Sequence, residues 1–228
     1  MKALIIQSSY IEKRVKINKQ WRYELLQGVK KLDKERLASR ISLIFNAPLM
    51  MLVTFIPLIM IYGQGNMWTL FIITSVFGCF LPMLSVFAFL KFGVISDFYA
   101  SNKDERFFPF MTTIGSYLIG LVLLISVNSP GPVTALMASY IVNGLVMVFI
   151  TLKWKISIHA SGIASPIMAL IFFLGSSLIP LVVLVLPVAW ARLELKAHSK
   201  WQLTMGVVVS GILTWIQMAL YTNYVFLM

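Results

Sequence analysis

The chain has only two histidines in 228 residues, and each stands beside cations at the edge of a long apolar run. His198 lies in "ARLELKAHSKWQL" (191–203) with Arg192, Lys196 and Lys200, and His159 lies in "KWKISIHASG" (153–162) with Lys153 and Lys155. A third basic pair, Lys103 and Arg106, sits in "SNKDERFFP" (101–109). Two imidazoles among fixed cations suit reactions at phosphorus. The cations neutralise a phosphate, one neutral imidazole attacks, and the other, protonated, donates to the leaving oxygen. Arginine adds a planar fork that pairs bidentately with phosphate oxygens. Basic residues at a membrane edge are also what topology alone produces, so the clustering does not by itself separate catalysis from orientation.

The elements that must position these residues are apolar helices. Hydrophobic side chains make up 59% of the chain, charged ones only 12%, and the mean hydropathy is +0.88. Several runs approach the roughly 20 apolar residues that cross a bilayer. They are continuous rather than alternating, which excludes a transmembrane barrel and predicts an all-α, polytopic transmembrane helix bundle of six to seven spans. The expected spans are 41–62, 67–92, 107–127, 133–153, two short ones within 160–191, and 202–227. The turn between the two short spans is placed at "GSSLIP" (175–180), because Gly, Ser and Pro punctuate helices. One long tilted helix is the rival reading of 160–191.

Residues 1–40 carry eleven Lys/Arg and four Asp/Glu, with Trp21, Leu25, Leu26, Val29 and Leu32 at helical spacing. They read as a basic amphipathic helix on the cytoplasmic membrane surface, ahead of a transmembrane domain at 41–228. The start does not read as a cleavable signal. Every Lys, Arg, Asp and Glu falls within 1–40, 91–106, 153–155 or 192–200, while "YGQGN", "NSPGP" and "GSSLIP" have none. A hairpin at 175–180 puts all four charged places on one side. The positive-inside rule makes that side cytoplasmic, in a multi-pass protein of the plasma or inner membrane. Net charge is +11, read as topology and attraction to anionic lipid rather than as a nucleic-acid surface. The lone Cys79 provides neither a disulfide nor a thiolate metal cluster. Asn46, Asn143 and Gln217, polar in mid-span, read as helix–helix hydrogen bonds rather than a conduction path.

Spacing narrows the chemistry. Arg192 is followed after five residues by His198, then by Gln202 four residues on and Gly206 four beyond. This resembles the third motif of the type 2 phosphatidic acid phosphatase superfamily, Ser-Arg-x5-His-x3-Asp with a following glycine. "ISIH" (156–159) resembles its second motif, Pro-Ser-Gly-His, with Ser157 and His159 matching. Lys103, Arg106 and Pro109 suggest the first motif, Lys-x6-Arg-Pro, at altered spacing. The resemblance covers about 97–211 and implies an active-site edge built from 97–106, 153–159 and 192–202. It implies that His198 is the nucleophile that becomes phosphohistidine and His159 the acid for the leaving alcohol. Arg192 and Ser157, with Arg106 and Lys103, would bind phosphate, and no metal or other cofactor is needed. Lys155 joins the phosphate-binding set by proximity. The sequence departs from the pattern at Gln202, where the family has Asp, and at Ala191, where it has Ser. Two further spans lie between the first and second motifs.

The expected activity is hydrolysis of a lipid phosphate, either a phospholipid precursor or a polyprenyl phosphate or diphosphate. Its partners would be that substrate and membrane lipid. The alternative is a catalytically inactive lipid-binding or transport protein of the same fold. An intramembrane prenyltransferase is less favoured: Asp97 and Asp104 could serve a first acidic motif, but Glu194 is the only acid downstream, too few for two divalent ions.

Overall fold

The computed structural model describes residues 2–98 and 102–225, with backbone alone for 2–18, 20, 25 and 103. Its described residues form helices joined by short turns. They are α1 (Lys2–Ile44), α2 (Ala47–Tyr62), α3 (Met67–Ser75), α4 (Leu81–Lys91), α5 (Phe107–Ser126), α6 (Gly131–Lys153), α7 (Ile158–Leu174), α8 (Val185–Glu194) and α9 (Lys200–Leu220). A π turn, Val76–Phe80, fuses α3 to α4, and 3-10 segments precede α5 (Lys103–Arg106) and α8 (Ser176–Leu184). Five helical stretches are long and apolar enough to cross a membrane: Met67–Lys91, Asp104–Ser126, Gly131–Lys153, Ser176–Glu194 and Lys200–Val225. The protein is therefore a membrane-embedded helical bundle.

The helix ends follow from local chemistry. The expected run 41–62 is not one helix: α1 ends at Ile44, and the axis bends by 47° into α2. Asn46 causes the break, its Oδ1 accepting from the Leu49 N–H at 2.9 Å as an N-cap, with Pro48 in the first turn. Ser157 caps α7, its Oγ accepting from the Ala160 N–H at 3.4 Å. Gly175, at φ 101°, ends α7 in a backbone conformation that L side chains avoid. The 3-10 segment and α8 then fold back along α7, so the hairpin expected at 175–180 is present. Ser199 and Gln202 form a reciprocal capping box at the start of α9.

The interior is sealed by close approaches. α7 packs on α9, α5 on α6, α2 on α7, and the last turns of α1, where Ala38 and Ser42 are buried, on α8. Trp21, Leu26, Val29 and Leu32, on the earlier turns of α1, are exposed. The Phe77 carbonyl, in the π turn, accepts from Ser116 Oγ on α5 at 2.7 Å. Asn143 on α6 donates to Ser165 on α7 (3.1 Å) and to Thr214 on α9 (2.8 Å), and accepts from Gln217 Nε2 at 3.1 Å. These two mid-span residues therefore tie helices together, as their polarity predicted.

Candidate functional site

Four elements from distant parts of the chain meet at one end of the bundle. Arg106 comes from the 3-10 turn before α5, His159 from the first turn of α7, Arg192 from the last turn of α8, and His198 from the link into α9. All four line one cavity of about 220 Å³. Arg106 and Arg192 are buried, 6% and 3% exposed, and His198 is 8% exposed. A buried guanidinium is costly unless its donors are engaged. Here Arg106 Nη1 donates to the Ile156 carbonyl at 3.5 Å and Arg192 Nη1 donates to Ser42 Oγ at 3.4 Å.

The orientation of His198 follows from the capping box. Gln202 Oε1 accepts from the Ser199 N–H at 3.0 Å, and the same oxygen lies 3.2 Å from His198 Nδ1. Because the backbone N–H fixes which end of the amide faces inward, Nδ1 must carry the ring proton. The Nε2 lone pair is then available to an electrophile. Burial, followed by the charges of Arg192 and Arg106, pushes the His198 pKa down to about 3, with Gln202 opposing the shift. The ring is therefore neutral at pH 7. His159 is partly buried, and its ring donates to the backbone carbonyl of Ser42.

The other residues singled out from sequence lie as follows. Lys155 does not line the cavity, but burial and then the charges of Arg106 and Arg192 lower its pKa, which puts it beside the same cluster. Ser157 is a correction to the expected phosphate-binding set. It is fully buried behind the cavity wall, its Oγ caps α7, and its N–H donates to the Gln202 carbonyl at 3.2 Å. Its neighbour is Gly206, where an added Cβ would come 2.6 Å from the Ser157 carbonyl. The serine and the glycine thus dock α7 on α9 and set the spacing of the two histidines. Lys103 contributes backbone to the 3-10 turn; its side chain lies outside the described residues. Gln202 touches His198 and is not part of the cavity wall.

The loop before α5 is held by Glu105, which accepts from the Ser96 N–H (2.7 Å) and Oγ (2.9 Å). Among the described residues, no group of three or more His, Cys, Asp or Glu is arranged to hold a metal ion. Sequence reasoning missed Ser42, which contacts both Arg192 and His159, because nothing in "RISLIFNAP" (40–48) distinguishes this serine from any other small polar helix residue. It also missed Tyr117 and Tyr140, which line the cavity far from its charged end.

From that end the cavity runs between helices along Pro109, Phe110, Met83 and Val86. Charge gathers at one end, and the rest of the wall is mostly hydrocarbon with Thr113, Asn143, Ser165, Tyr117 and Tyr140 among it. That arrangement accommodates an anionic headgroup with an apolar tail. Compared with known proteins, the chain matches no family model, no curated protein and no solved structure.

Proposed function

We propose that this protein is a membrane-embedded phosphatase that hydrolyses a lipid phosphate through a phosphohistidine. The observation that carries this reading is the His198 ring: Nδ1 is held by Gln202 while two buried arginines and a second histidine share its cavity. In the first step Nε2 of His198 attacks phosphorus, the bond from phosphorus to the lipid oxygen breaks, and His159, entering as the imidazolium with one ring N–H held by the Ser42 carbonyl, gives that oxygen the proton on its other ring nitrogen. Arg106 and Arg192 neutralise the equatorial oxygens as charge builds on them. In the second step water attacks the phosphohistidine, with His159 taking its proton. Inorganic phosphate leaves, and the lipid alcohol is the other product. Lys155 adds positive potential, and Lys103 is the remaining candidate for it.

In the bilayer we place α2, α3–α4, α5, α6, α7, α8 and α9 as seven spans. The charged edge and the N-terminal helix face the cytoplasm, where phosphorylated lipid precursors are made, and the basic, exposed turns of α1 lie along anionic headgroups.

The test is phosphate release by purified protein in EDTA from phosphatidic acid, a glycerophosphate-headed lipid and a polyprenyl diphosphate. His198→Ala and His159→Ala should each abolish release, and Arg192→Ala should weaken substrate binding. Wild-type activity in either histidine variant would overturn these roles. Gln202 favours a second reading, in which the fold binds lipid phosphate without turning it over, because an amide brings no negative charge to stabilise a cationic phosphohistidine. Binding without release by folded protein would support that reading.

A further inference from the structure

The cavity also limits what can lie behind the headgroup. Its volume of about 220 Å³, charged end included, can be scaled against an apolar protein cavity of about 150 Å³ that takes one benzene, which gives room for roughly nine heavy atoms of headgroup and tail together. That is part of one hydrocarbon chain and far short of two. Depth agrees: from Phe107 to Tyr117 α5 rises roughly 15 Å, about half of a hydrocarbon core of roughly 30 Å.

At the far end two tyrosine rings line the cavity and pack into the core. Tyr117 and Tyr140 have ring centroids 6.1 Å apart, and Tyr140 in turn meets Phe55 at 6.4 Å. Phe55, Leu124 and Leu136 in the surrounding core are fully buried. Asn143 and Ser165 also reach the cavity, but Asn143 already donates to Ser165 and Thr214. Beside the floor Gly144 lies close against Ile114, also in the wall: an added Cβ would come 3.0 Å from that side chain, which would have to give way.

We infer that the cavity holds a single lipid tail and that Tyr117 and Tyr140 limit its length, so the preferred ligand is a single-tailed lipid phosphate with a tail of at most about ten carbons. This rests on the reading of the charged end as a phosphate site. Selectivity must come from the steric limit, because a tail leaving lipid for an apolar cavity gains no hydrophobic energy.

The experiment uses the full chain in lipid nanodiscs and n-alkyl monophosphates from about six to about sixteen carbons, with diacyl phosphatidic acid alongside. Dissociation constants are compared at equal mole fraction in the membrane, and phosphate release is recorded in the same samples. Binding should be tightest at about ten carbons or fewer and about tenfold weaker by fourteen, because a tail too short leaves packing contacts unmade and one too long overpacks the floor. Phosphatidic acid should bind less well than the best alkyl phosphate. Tyr117→Ala should move the optimum to longer tails, and Gly144→Ala should move it to shorter ones. If Tyr117→Ala does not fold, the wild-type series and Gly144→Ala decide the matter. Affinity independent of tail length, an optimum that no folded variant moves, tighter binding of phosphatidic acid, or no binding at any length would overturn the inference. A length optimum in binding without phosphate release would leave it standing and remove the phosphatase reading. Release without a length optimum would do the reverse.

Discussion

The Oγ of Ser42 accepts a hydrogen bond from Arg192 Nη1 at 3.4 Å, across 150 residues of chain. The backbone carbonyl of the same serine accepts from the His159 ring. The last turn of α1 is therefore a bracket for one buried arginine and one histidine. Ser42→Ala keeps the carbonyl and loses the hydroxyl, so the effect should fall on Arg192. KM should rise about 3- to 10-fold, less than the ~1.5–3 kcal/mol of a well-formed bond to a charged group because 3.4 Å is long for one, with a smaller fall in kcat. Ser42→Thr should restore most of the loss. An unchanged KM in Ser42→Ala would remove the positioning role.

Gln202 offers the reverse experiment, a gain. Gln202→Asp keeps an acceptor for the Ser199 N–H and for His198 Nδ1 and adds a negative charge beside the ring. A carboxylate at that distance favours the imidazolium and so raises the His198 pKa, moving the acid limb of the kcat/KM profile to higher pH. It should also stabilise the cationic phosphohistidine and raise kcat about tenfold. A fall in kcat would mean that the site is tuned to a neutral amide, and the role given to Gln202 here would be lost.

The depressed pKa of His198 makes a separate statement about stability. In the unfolded chain the ring titrates near its ordinary value of about 6.5, and in the folded protein near 3. Between those values the unfolded state binds the proton that the folded state refuses. The stabilisation from a neutral buried ring is therefore present above about pH 6.5 and is lost progressively as the pH falls toward 3. Thermal unfolding in detergent from about pH 7.5 to about pH 4.5 should show Tm falling with acidification. His198→Asn, which cannot titrate, should show a shallower fall. Parallel profiles for the two proteins would contradict the assigned protonation state.

Much of this arrangement was legible in the residues themselves. The apolar runs predicted helices ending close to Lys91, Ser126 and Lys153, because long continuous hydrophobicity leaves few alternatives. Gly175 announced the turn after α7, since only glycine adopts φ 101° without strain. The confinement of charge to four places put Arg106, His159, Arg192 and His198 at one edge of the expected bundle, and in the structure the four line one cavity. The break at Asn46 was less legible: the apolar pattern runs through it, and only an N-cap followed two residues later by proline marks it. Ser157 was misread because its motif position suggested a ligand-facing hydroxyl, whereas a serine directly before a helix has a competing use as its cap. Ser42, Tyr117 and Tyr140 could not be found at all, because their importance comes from helices that are remote in sequence and cross at the site.

The polar knot in the bundle core tests whether those crossings are held by hydrogen bonds. Gln217 lies outside the cavity wall, and its Nε2 donates to Asn143 Oδ1 at 3.1 Å. Gln217→Leu should destabilise the protein by about 1 kcal/mol, the scale of an interhelical hydrogen bond in a membrane, while leaving KM unchanged. A larger loss, read from thermal unfolding in detergent, would mean that Asn143 cannot hold α6, α7 and α9 with its remaining bonds.

Gly206 provides the most direct test of how the histidines are spaced. A methyl group there would come 2.6 Å from the Ser157 carbonyl and 3.1 Å from Ala160 Cβ. The first contact is with backbone, which cannot rotate away, so α7 must shift off α9. That shift would stretch the 3.2 Å bond between the Ser157 N–H and the Gln202 carbonyl, which joins the segment carrying His159 to the one carrying His198. Gly206→Ala should cost about 1–3 kcal/mol as overpacking and lower kcat about 100-fold, the scale of a misplacement near 1 Å. The two effects separate in the measurement, since Tm reports the packing and single-turnover phosphate release reports the geometry. A folded Gly206→Ala protein with wild-type turnover would mean that the two histidines do not depend on this contact for their alignment.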